Sequence, residues 1–211
     1  MTPHEPCSAH GHDHMDKRFN DAEKWALKFD DPKRAEWQKP EETIKALRIS
    51  DNDQIADIGA GTGYFSIRIA KKHPQAKVLA IDVEPDMVAY IEKLAKKENL
   101  SNVQTFLVSP TTVDLKLPVT VDKILVVNTY HHIPDRTKYF KDLSPYLKAD
   151  GKLVIIDFKL ESPEGPPIEY RIEPAQLREE LKLAGYEQVE SLDFLQYQYF
   201  LVFQKLKSAP L

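Results

Sequence analysis

Gln54-Ile55-Ala56-Asp57-Ile58-Gly59-Ala60-Gly61-Thr62-Gly63-Tyr64-Phe65 is the stretch whose reading decides the fold. Ile55, Ala56 and Ile58 read as a buried strand, the three glycines as a tight turn, and Tyr64-Phe65 as the first turn of a helix. Glycine carries no Cβ and adopts positive φ readily, so a turn made of it lets backbone approach a ligand closely. A strand, a glycine turn and a helix in that order form the opening of a nucleotide-type βαβ unit.

Two details narrow that reading. The dinucleotide fingerprint G-x-G-x-x-G requires glycine at position 64, where this chain has Tyr64. An acid, Asp57, stands two residues before Gly59. A carboxylate there repels a pyrophosphate and attracts a ligand bearing an amino group or a sulfonium.

Outward from the loop, strands and helices alternate. Strands are expected over 54–58, 77–82, 103–107, 121–128 and 152–157, with helices over 64–73, 85–98 and 136–147 between them. Ala149-Asp150-Gly151 reads as the turn before the fifth strand. A helix over 174–184 is closed by Gly185, and two strands follow at 188–192 and 199–204. Alternation at this spacing predicts a mostly parallel sheet with helices on both faces. The last two strands have no helix between them and are expected to form an antiparallel hairpin at one edge. Upstream, Phe19, Ala22, Trp25, Ala26 and Phe29 fall at helical spacing. Pro40, followed by Glu41 and Glu42, suits the first turn of another helix. The second strand ends in Asp82, where an acid can grip ribose hydroxyls.

Asp57-Ile58-Gly59-Ala60-Gly61-Thr62-Gly63, Ala80-Ile81-Asp82 and Asn128-Thr129-Tyr130-His131-His132-Ile133 together resemble the class I S-adenosylmethionine-dependent methyltransferases. The likeness is greatest to the ubiquinone/menaquinone-type branch of small-molecule enzymes, and it covers roughly residues 40–205. It implies an α/β, Rossmann-like, seven-stranded, mostly parallel sheet with a C-terminal antiparallel hairpin. It implies S-adenosylmethionine as cofactor, held by Asp57, Gly59, Ala60, Gly61 and Gly63 with Asp82 on the ribose. Val83 and Met87 would pack near the adenine, and Asn128 would lie by the cofactor. Many family members have an acid after the third strand; this chain has Ser109-Pro110-Thr111-Thr112 there, so Ser109 or a backbone group takes that contact.

The resemblance puts Tyr130, His131 and His132 beside the substrate. Either histidine can serve as a base, or the pair simply packs the strand end. Methyl transfer from a sulfonium needs chiefly in-line alignment, so a dedicated base is optional. Trp25 and Trp37 belong to a lid over the site or anchor the N-terminal helices on the sheet. Arg171 binds an anionic group or pairs with Glu169 or Glu173. Three units are expected: a disordered His-rich tail over 1–15, a helical lid over 16–50, and the cofactor-binding domain over 51–207. His4, His10, His12 and His14 sit in that tail with Cys7. A tail without a rigid scaffold rarely closes a specific metal site, so no metal is assigned.

Composition bounds the rest. The chain has 211 residues, 42% hydrophobic and 29% charged, with a formal charge of −4. No global positive field recruits nucleic acid. No apolar run approaches the ~20 residues of a membrane helix. Residues 1–15 lack a signal-peptide core, and Cys7 is the single cysteine, so a cytoplasmic protein with a small-molecule substrate is expected. Two rival readings remain: a catalytically silent S-adenosylmethionine-binding module, and a nicotinamide-dependent oxidoreductase, which Tyr64 and Asp57 oppose.

Overall fold

The computed structural model describes residues 19–109 and 120–207. The N-terminal helices are α1 (Ala22–Phe29), α2 (Arg34–Gln38) and α3 (Pro40–Ala46). The alternating part follows: β1 (Gln54–Ile58), α4 (Tyr64–Lys72), β2 (Lys77–Asp82), α5 (Pro85–Lys97), β3 (Val103–Leu107), β4 (Val121–Val127), α6 (Arg136–Leu143) and β5 (Leu147–Phe158). The chain closes with α7 (Pro174–Leu183), β6 (Tyr186–Leu192) and β7 (Gln198–Lys205).

Local chemistry sets most of these boundaries. Asp21 caps α1 by accepting from the Lys24 N–H, and Asp135 caps α6 by accepting from the Lys138 N–H. Pro40, Pro85 and Pro174 each open a helix, where the missing N–H costs nothing.

The seven strands form one sheet in the order β3-β2-β1-β4-β5-β7-β6. β1 pairs in parallel with β2 on one side and β4 on the other. The strand order therefore reverses at β1, and a crevice opens outside the carboxyl ends of β1 and β4. β7 inserts between β5 and β6 and is antiparallel to both. The expected hairpin is present, with β6 at the edge.

Side-chain alternation along β1 divides the core. Ala56 and Ile58 join a cluster with Tyr130, Phe140, Leu177 and Leu181 under α6 and α7. Ile55 joins a cluster with Ile44, Tyr64, Phe65 and Ile69 under α3 and α4. Among the described residues, no helix is long and apolar enough to cross a membrane.

Two expectations are corrected. The helix expected over 136–147 stops at Leu143; a 3-10 turn, Ser144–Tyr146, follows, and Leu147 already pairs with Val121. Pro145 lacks the N–H that would continue the α-helix. Ala149-Asp150-Gly151 lies inside β5 rather than before it. Val121 pairs with Leu147 but Lys123 with Lys152, so the extra residues bulge within the strand. A Cβ at Gly151 would press on Leu147 and on the Asp122 carbonyl, which is why glycine suits the bulge.

Candidate cofactor and acceptor site

The loop after β1 is held by backbone bonds. The N–H groups of Gly59 and Ala60 donate to the Ile81 carbonyl at 2.8 and 3.0 Å. Gly59 has φ +70°, and a Cβ there would collide with the Thr129 side chain. At Gly63 a Cβ would press on Ile91 and Ile67 at 3.1 and 3.3 Å. Gly61 differs: a Cβ there would make only ordinary contact with the Phe29 ring at 3.8 Å, so this position is uncrowded. The outer glycines serve close packing, and the middle one leaves room for a ligand.

Two buried carboxylates flank this opening. Asp82, at the end of β2, accepts from the Gly61 N–H at 2.7 Å and the Glu84 N–H at 3.0 Å. Its pKa is raised by burial, with those N–H bonds opposing the shift. Asp57, on the α4 side of β1, accepts from the Ser66 hydroxyl at 2.6 Å. Burial pushes its pKa up to about 6; the Ser66 bond opposes this and the Asp82 charge adds to it. Beside Asp82, Val83 is exposed and Met87 is buried at the start of α5. Leu107, paired in register with Asp82, is exposed at the end of β3. Its position level with Asp82 was not identified from sequence, although a terminal apolar residue on that strand was a usable signal. Ser109 is exposed, and Pro110, Thr111 and Thr112 lie outside the described residues. The His-rich tail also lies outside them.

The segment after β4 separates what the sequence grouped. Asn128 adopts φ 56°, its N–H donates to the Ile156 carbonyl at 2.9 Å, and its Oδ1 accepts from Gln198 Nε2. His131 is buried, with Nδ1 2.9 Å from the Asp157 carboxylate. Asp157 also accepts the N–H of His131 at 3.2 Å and of Phe158 at 2.8 Å. The His132 ring lies 4.2 Å from the His131 ring and 5.4 Å from Phe19. Asp157 was missed as a partner, because nothing in local sequence links positions 131 and 157.

Tyr130 corrects the sequence reading. It points away from the crevice into the core, stacked 5.2 Å from Phe140, and its hydroxyl donates to Glu180 at 2.6 Å. Burial raises its pKa, and the Glu180 carboxylate reinforces the shift. The 3-10 turn Tyr130–His132 rotates neighbouring side chains to different sides, which residue order alone does not reveal.

The N-terminal helices lie against the loop. Phe19, Trp25 and Phe29 form one aromatic group, with Trp25 stacked on Phe29 at 5.2 Å. The Thr62 hydroxyl donates to Asp30 at 2.9 Å, and the Asp21 N–H donates to Asp86 at 2.8 Å. Trp37 lies 5.8 Å from Phe158 and 6.4 Å from Tyr197. A chain of side-chain bonds runs from Arg34 to the buried amides Gln38 and Gln198 and on to Asn128. Arg171 fulfils neither expectation. Its guanidinium donates to the carbonyls of Lys159, Leu160, Ser162, Glu164 and Pro166, stapling the loop after β5.

A family model described as a methyltransferase domain matches residues 49–197. The chain belongs to that family. (S)-coclaurine N-methyltransferase of Thalictrum flavum subsp. glaucum is 31% identical over 108 residues, 51% of this chain and 29% of the relative. The chain thus spans less than a third of that plant relative's length. The uncharacterized methyltransferase YdaC of Bacillus subtilis is 27% identical over 149 residues, covering 70% of this chain and 79% of that one. Among solved structures, a SAM dependent methyltransferase from Aquifex aeolicus superposes with a TM-score of 0.79 at 27% identity. That likeness covers 88% of this chain and 99% of the other. The family's Rossmann-like sheet is the one observed, with its antiparallel β5-β7-β6 end.

Proposed function

We propose that this methyltransferase-family chain moves a methyl group from S-adenosylmethionine to a small-molecule nucleophile. One observation carries the reading: Asp57 and Asp82, both buried, flank a glycine turn that is least crowded at Gly61. Asp57 suits a cationic amino-acid end and Asp82 a ribose, and the Asp57 carboxylate beside the turn disfavours a pyrophosphate. The Aquifex likeness supports the same cofactor.

The cofactor supplies an electrophilic methyl on a sulfonium sulfur. Around it, Asp57 attracts the ammonium, Asp82 accepts from the ribose hydroxyls, and the Gly59–Gly63 turn with Ala60 admits the methionine end. Val83, Met87, Leu107 and Ser109 border the adenine, and Asn128 lines the methionine side. Residues 16–50 act as a lid, their aromatic group excluding water from the crevice. The Asp157 carboxylate 2.9 Å from Nδ1 orients the His131 ring. His131 would take up the proton that the acceptor loses on receiving the methyl group. His132 and Trp37 shape the acceptor space.

The relatives include N-methyltransferases, erythromycin 3''-O-methyltransferase of Saccharopolyspora erythraea and a demethylmenaquinone methyltransferase of Listeria welshimeri. The family therefore supports methyl transfer and does not single out the quinone branch. A charge of −4 supports a small-molecule acceptor over nucleic acid, and the single cysteine is in keeping with a cytoplasmic setting.

Titration calorimetry with S-adenosylmethionine and S-adenosylhomocysteine tests the reading. The wild type is expected to bind both and Asp82→Ala neither. Folded wild type that binds neither sinks it, and binding of nicotinamide nucleotides in their place would revive the oxidoreductase reading.

A further inference from the structure

Arg34, in α2, is a cation with unusual company. Its Nε donates to Gln38 and its Nη1 to the Phe29 carbonyl at 2.6 Å. It forms no ion pair among the described residues. Its guanidinium lies 3.9 Å above the Tyr64 ring, and Arg68 covers the same ring at 3.7 Å. The Tyr64 hydroxyl is buried and has no hydrogen-bond partner among the described residues. Packing lowers the Arg34 pKa to about 10, chiefly by desolvation, with Tyr64, Asp30 and Asp57 acting the other way. Asp30 is itself engaged by Thr62 of the glycine turn.

A half-buried guanidinium with donors beyond those two bonds, beside a phenol hydroxyl without a partner among the described residues, suits an anion. The acid of the same corner is Asp57, whose charge Arg34 feels. A negative group near Arg34 and a positive group near Asp57 are the two ends of one α-amino acid. The amide chain through Gln38 and Gln198 holds the guanidinium in place before any ligand arrives.

We propose that Arg34 binds the carboxylate of the cofactor's methionine end, with the Tyr64 hydroxyl as a second donor. This rests on the S-adenosylmethionine reading and adds a residue to it. Arg34 belongs to the N-terminal helices, so the same contact draws them onto the loaded site. An anionic acceptor could satisfy the same donors, and the choice of ligands below separates the two sources.

The test is titration of S-adenosylhomocysteine against its decarboxylated analogue, on wild type, Arg34→Gln and Arg34→Lys. Wild type is expected to prefer the carboxylate-bearing ligand by about ten- to a hundredfold, the strength of a charge-assisted pair. Arg34→Gln is expected to erase that preference while binding the analogue within about twofold of wild type, since only one charge pair is lost. Arg34→Lys keeps the charge without the planar fork and is expected to fall between them. An Arg34→Gln protein that keeps the full preference overturns the assignment, as does an equal loss on both ligands, and an anionic acceptor then becomes the better partner. Should Arg34→Gln fail to fold, Arg34→Lys decides: no loss, or equal loss on both ligands, overturns it. Wild type that binds neither ligand overturns the cofactor reading instead.

Discussion

Asp57 holds a pKa of about 6, against 3.8 for an ordinary aspartate, because burial penalises its charge. The sign follows from linkage: the unfolded chain gives up this proton more readily than the folded one. Neutral Asp57 thus adds stability fully present below 3.8 and lost as pH climbs to about 6. A cationic ligand selects the ionised form, so affinity for S-adenosylhomocysteine should rise up to about pH 6 and level off above it. Calorimetry between pH 5 and 7.5 checks this (roughly the span where one such acid titrates), and a flat profile would remove Asp57 from the ammonium contact. At Gly59, alanine meets both the Thr129 side chain and a φ of +70°. Gly59→Ala should cost about 2–4 kcal/mol in urea unfolding. Tyr130 is the residue where sequence misled. Its role in the core predicts that Tyr130→Phe lowers stability by about 1–2 kcal/mol and leaves kcat unchanged.

Elements matter at the site mainly through the residues they bring to one another. The end of β4 presents His131 and the end of β5 presents Asp157, and neither strand makes the pair alone. If His131 takes the acceptor's proton, Asp157→Asn should lower kcat by about a hundredfold or more while the affinity for S-adenosylhomocysteine holds. An unchanged kcat would mean that the pair only packs the strand ends. Helix α2 has five residues, too few to persist alone, and its place depends on Gln38 and Gln198. Gln198→Leu takes a partner from the buried amide of Gln38 and from the half-buried amide of Asn128. It should cost about 1–3 kcal/mol in thermal or urea unfolding. By contrast the Glu23–Lys93 bridge between α1 and α5 is exposed at both ends and adds little.

Across the whole molecule, the N-terminal helices are tied to the glycine turn by the Thr62–Asp30 bond and to α5 by the Asp21–Asp86 bond, so a ligand at the switch point would meet both. A ligand bound only by the folded state at a hundred times its Kd should add about 2.7 kcal/mol of stability. A thermal-shift series with S-adenosylhomocysteine should show that gain, and Asp82→Ala should lose it. The sequence by itself determined the alternation of strands and helices, the glycine turn, Asp57, Asp82 and the antiparallel end. These rest on local physics: side-chain periods of strands and helices, glycine's φ freedom, proline's missing N–H. Tertiary structure alone decided that Tyr130 turns into the core while His131 meets Asp157, and that Arg171 staples a loop. It also joined Gln38 to Gln198 across 160 positions and set Arg34 over Tyr64. Such pairings form only when distant strands and helices pack, because a side chain's partner is fixed by the space around it and not by its neighbours in the chain.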